Sequence, residues 1–114
     1  MQRAIEMAEA LNLEIRNSEE YKRYVDTCNR LKQQPDLYNR FNEFRRRNYE
    51  LQSSEGDSNL YDEVFNLVKE YDSVLQESLV NDFLVAEQRL NALMREMYAT
   101  LSDNLELDYE YLEG

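Results

Sequence analysis

Arg45-Arg46-Arg47 is the densest run of a single chemistry in this chain, with Arg40 upstream and Tyr49 just after it. Planar guanidinium groups hydrogen-bond in pairs to carboxylates and phosphates. Such a run suits contact with an acidic protein face or with RNA. The plainer reading is a solvated outer face paired with Glu43 and Glu50, since single surface charges contribute little. Helical geometry points Arg46 away from the core and puts Arg45 and Arg47 on its two margins. Cys28, the one cysteine, lies in an apolar stripe and is expected as a buried, inert thiol. A reactive thiol needs an exposed, electropositive setting, and Arg30 and Lys32 project elsewhere on the helix.

The chain has no histidine, so it lacks a ready base near neutral pH and an imidazole metal ligand. The Glu-x-x-His pairs of a helical di-iron site are likewise missing. Carboxylate pairs such as Asp62/Glu63 and Asp108/Glu110 arise by chance among 24 acids, and solvated surface is their expected place. No catalytic residue, metal or cofactor is therefore expected.

Two glycines and one proline among 114 residues leave few special turns. Long uninterrupted elements must dominate, and a glycine-rich phosphate loop cannot be built. The net charge of −11 opposes general binding to nucleic acid or anionic membrane. It is unevenly spread: residues 1–52 carry +1 and residues 53–114 carry −12. An acidic back half suits a solvated surface or a docking face for a basic partner. One cysteine excludes an internal disulfide. No segment resembles a signal peptide or spans a bilayer, so a cytoplasmic location is expected.

Apolar spacing predicts five helices. The first covers about 2–16, with Ala4, Ile5, Ala8, Leu11 and Ile15 on one side. Ser18 is a good cap for the second, with Glu19 and Glu20 in its first turn and Tyr21, Tyr24, Val25, Cys28 and Leu31 in one stripe. Pro35 opens the third, which runs to about Gln52 with Leu37, Phe41, Phe44 and Leu51 facing inward. Asn48 falls on the same side, as a candidate for an interhelical hydrogen bond. Residues 53–58 read as a loop. The fourth helix spans about 59–76, and Ser78 then caps a fifth over about 78–104.

The expected fold is an all-α antiparallel bundle of about five helices with a long C-terminal helix. Residues 1–104 form one domain, and 105–114 form an acidic, aromatic tail. Leu79, Phe83, Ala86, Leu90, Leu93, Met94, Met97 and Leu101 share one side of the last helix over about seven turns. Shorter neighbours cannot cover so long a stripe. A dimer is expected, with Met94, Met97 and Leu101 in its seam.

The ordering of these pieces resembles the YlbF/YmcA family of small bacterial proteins, which includes YheA-like members. Ser18-Glu19-Glu20-Tyr21, Pro35-Asp36-Leu37, Phe41-x-x-Phe44, Leu51-Gln52 and Val80-x-x-Phe83-Leu84-x-Ala86-Glu87-x-x-Leu90 carry the likeness over nearly the whole chain. The resemblance implies an all-helical, cytoplasmic, non-enzymatic protein that is often dimeric. Two members regulate competence, sporulation and biofilm formation, in a complex that acts with the endoribonuclease RNase Y. Some members hold iron–sulfur clusters through cysteines. One thiolate cannot hold a cluster that usually takes four, so no cluster is carried over to this chain.

The expected function is therefore regulation through protein–protein contact. Arg45, Arg46 and Arg47 would be a charged patch, and the partners would be a second copy, paralogous helical proteins or a ribonuclease complex. Two alternatives stand beside it. A small enzyme of chorismate-mutase type would need cations such as Arg40 and Arg47 converging in a pocket. An RNA-binding accessory protein would use the arginine run, against the net charge; direct binding to nucleic acid is not expected.

Overall fold

The computed structural model describes residues 1–53, 59–106, 108 and 110–113. Among these the chain is all-helical, with no strand. The helices are α1 (Gln2–Arg16), α2 (Glu19–Lys32), α3 (Pro35–Ser53), α4 (Leu60–Glu70), α5 (Asp72–Leu75), α6 (Ser78–Ser102) and the short α7 (Glu110–Glu113). Most of the expected loop and part of the acidic tail lie outside the described residues.

Local chemistry sets the first boundaries. Ser18 Oγ accepts the Tyr21 N–H at 3.2 Å and donates to the Ile15 carbonyl at 2.6 Å. One side chain thus ends α1 and opens α2, with Glu19 and Glu20 against the positive helix end. Pro35 begins α3, where its missing N–H costs nothing.

Two boundaries differ from expectation. The helix predicted over 59–76 is interrupted at Tyr71 (φ −102°, ψ 20°), which separates α4 from α5. No proline or glycine marks this break. The Tyr71 ring is drawn into the core against Phe44, at 5.6 Å between centroids, and the backbone turns to present it. At the start of α6, Glu77 rather than Ser78 is the capping residue, and its side chain makes no cap bond. Asn81 secures the turn instead, its amide donating to the Leu75 and Glu77 carbonyls at 3.1 and 3.0 Å.

The core joins α2, α3, α4, α5 and the first half of α6. Leu31, Phe41, Leu67, Tyr71, Val74, Val80 and Phe83 are buried in one cluster. Phe41 meets Phe83 edge-on at 5.7 Å, and Tyr24 lies 5.4 Å from Phe83. These contacts have the geometry aromatic pairs prefer. α2 and α6 run in opposite directions: Tyr24 lies at Phe83, while Glu19 and Glu20 at the start of α2 face Leu93 and Glu96.

α1 and the second half of α6 stand outside this core. No residue of α1 is buried, and Ile5 is 53% exposed. On α6 the last buried residue is Ala86, sixteen positions before the helix ends at Ser102. The molecule is correspondingly flat and open, with extents of 49 × 42 × 17 Å and a radius of gyration of 18.5 Å. A compact chain of this length has a radius near 13 Å. The stripe predicted on α1 exists, but most of it has no neighbour within the chain.

Candidate functional site

The arginine run lies mid-way along α3, with Arg45 directed to α6 and Arg47 to α4. Arg45 turns inward. Its guanidinium lies 4.6 Å from the Phe41 ring centre and 5.1 Å from that of Phe83. It hydrogen-bonds Asn42 Oδ1 and approaches Glu87 on α6 at 4.0 Å. A weakly hydrated, planar cation suits this place, where it stacks on rings and keeps one edge in water.

Arg47 reaches the other way. It pairs with the Glu70 carboxylate and donates to the Tyr71 hydroxyl at 3.2 Å. Those hydrogen bonds, first to Tyr71 and then to Glu70, hold its guanidinium charged more firmly than in free arginine. Arg40 approaches the same Tyr71 ring at 5.4 Å. Arg46 is exposed. The run therefore splits, with Arg45 and Arg47 tying α3 to its neighbours and Arg46 facing solvent.

Arg40 and Arg47 both meet Tyr71, as a dicarboxylate clamp would require, but Arg40 does not line the cleft beside Arg47. The cleft beside Arg47, about 330 Å³, also holds Glu63 and Glu70. Two carboxylates there oppose an anionic ligand. Asn48 is half-buried, and no interhelical bond from its amide is found among the described residues. Cys28 is half-buried against the core cluster, and a single thiolate does not fit an iron–sulfur cluster. Burial, with the neighbouring Cys28 and Glu87, pushes the Tyr24 phenol up from its ordinary value.

The predicted seam lies on the bare half of α6. Met94 is 44% exposed, Leu101 is 65% exposed, and Met97 is half-buried. Sequence reasoning missed the groove beside this stretch. It has a volume of about 470 Å³, with Glu19, Glu20 and Arg23 of α2 on one wall and Arg89, Leu93 and Glu96 of α6 on the other. Its signal was available, because Arg89 and Glu96 recur at helical spacing on the margin of the α6 stripe. The Arg47–Glu70–Tyr71 group was also missed, and only the partner helix reveals it.

No helix among the described residues is long and apolar enough to cross a membrane. No solved structure matches the chain. A UPF0342 protein of Symbiobacterium thermophilum is 26% identical over 106 residues, covering 91% of this chain and 95% of the relative. The family model described as control of competence regulator ComK, YlbF/YmcA, matches residues 4–106. With the all-helical fold, the Ser18 cap and the Phe41–Phe83 core in the matched span, the chain belongs to the YlbF/YmcA family.

Proposed function

We propose that this protein is a non-catalytic regulatory adaptor that works as a homodimer through its helical faces. The observation carrying this reading is surface area. The chain exposes 9370 Å². A compact monomer of 13.7 kDa exposes about 6,600 Å². The surplus, roughly 2,800 Å² per chain, exceeds the ~800 Å² that each partner gives to a standard interface.

Met94, Met97 and Leu101 form the dimer seam in this reading, because they carry the α6 stripe beyond the core. Arg46, with the outer edges of Arg45 and Arg47, is the charged contact for an acidic partner. The family's link to the competence regulator ComK supports a regulatory role. Paralogous helical proteins or an endoribonuclease complex are the partners proposed, and the cytoplasm the proposed location.

The test is a ComK-dependent reporter in the native bacterium after deletion of the gene. Reporter output should change, be restored by the wild-type chain, and not be restored by Met94→Asp/Leu101→Asp. An unchanged reporter, or restoration by that variant, overturns the reading.

A further inference from the structure

α4 turns Leu67 into the core and pairs Glu70 with Arg47 of α3. A second apolar line on the same helix stays bare. Tyr61, Phe65 and Val68 are 82%, 59% and 40% exposed. Spacings of four and then three residues make the seam by which one helix meets another in a coiled coil. Two exposed aromatic rings on such a seam suit contact with a protein surface, where tyrosine and phenylalanine are enriched.

Charge selects the partner. Asp62 and Lys69 directly follow Tyr61 and Val68, so both lie on one flank of the seam, a heptad apart. Val64 holds the other flank, and Glu63 and Glu70 lie round the back of the helix. Asp62 and Lys69 are exposed, and about 10 Å of axis keeps them from meeting each other. Among the described residues, neither forms an ion pair within the chain. When two such helices meet antiparallel, like flanks face each other. Setting Phe65 on the partner's Val68 then brings Asp62 to the partner's Lys69. In a parallel pair Asp62 would face the partner's Val64 and gain nothing. The chain's other bare seams do not supply this match. On α1, the positions flanking Ala4, Ala8, Leu11 and Ile15 hold Ile5, Met7, Asn12 and Glu14. On α6, those flanking Met94, Met97 and Leu101 hold Asn91, Leu93, Tyr98 and Thr100. Neither seam offers both an acid and a cation.

We propose that α4 pairs with α4 of a second copy, antiparallel about a twofold axis, as a contact separate from the α6 seam. The occupant is another copy because the flank of α4 is complementary to itself, and the axis makes each ion pair and each apolar contact twice. A helix of 11 residues gives less than the ~800 Å² per partner of a standard interface, so this contact is the weaker of the two. It joins dimers into tetramers as concentration rises.

The experiment is sedimentation of the full chain over a wide concentration series, with circular dichroism confirming that each variant keeps its helices. Wild-type dimers should move toward the mass of four chains at the upper end. Asp62→Lys and Lys69→Asp should each weaken that step by about fivefold to tenfold, because the axis turns one change into two repulsive pairs. Asp62→Lys/Lys69→Asp in one chain should restore it, and Phe65→Asp should abolish it. A step that ignores both single changes, or that the combined variant does not restore, overturns the α4 contact and leaves the dimer reading intact. A wild-type chain held at the dimer mass throughout does the same. Monomers that pair only at high concentration, with the same response to these changes, keep the α4 contact and overturn the α6 seam.

Discussion

Arg47 and Tyr71, 24 residues apart, are joined by a 3.2 Å hydrogen bond that ties α3 to the break between α4 and α5. The tyrosine ring is buried, while its hydroxyl reaches the cation at the surface. The break is thus held from both ends, by ring packing below and by a charged donor above. Tyr71→Phe should cost about 1 kcal/mol, the net worth of one such bond, while keeping the packing. Chemical denaturation checks this, and an unchanged midpoint would show that the hydroxyl holds nothing.

Phe83 is the centre of the core, touching Phe41, Tyr24 and the Arg45 guanidinium. Phe83→Ala should destabilise the fold by about 3–5 kcal/mol, through lost burial and the cavity left behind. Arg46→Ala should stay within ~0.5 kcal/mol, as for most surface changes. Arg45→Ala should cost more than Arg46→Ala in thermal unfolding, and equal losses from the two would contradict the split of the arginine run into inward and outward members.

The raised Tyr24 phenol has a definite sign in the pH dependence of stability. Its ordinary value is 10.0, and folding raises it. The unfolded chain therefore releases this proton first as pH rises. Stability is intact below about pH 10 and falls as pH climbs through the folded value. Tyr24→Phe should flatten part of that decline in denaturation measured between pH 9 and 11, ranges set by the ordinary tyrosine value.

Helix positions were legible in the sequence where a local signal fixes them. Ser18 and Pro35 set the starts of α2 and α3, and the apolar spacing of α6 gave its length within two residues. The break at Tyr71 was not legible, because it follows from packing against α3 and has no proline or glycine to announce it. Arg45 and Arg47 were correctly placed on helix margins. A margin faces solvent or a neighbour according to the partner helix, and that is a tertiary fact. The stripe on α1 marked a face suited to burial but carried no information on which surface would bury it.

The apolar seam predicts its own failure. Met94→Asp with Leu101→Asp puts charges on a face meant to be dry, and burying an unpaired carboxylate is costly. Both residues are already solvent-accessible in the single chain, so the fold itself should survive. The variant should be helical and monomeric by sedimentation. A dimer of unchanged affinity would move the seam elsewhere.

The mass of the wild-type protein in solution bears most directly on whether these open helical faces are built for contact. Light scattering at micromolar concentration should give about 27 kDa, twice the 13.7 kDa of one chain. A mass of 13.7 kDa, constant on dilution and concentration, would contradict the account.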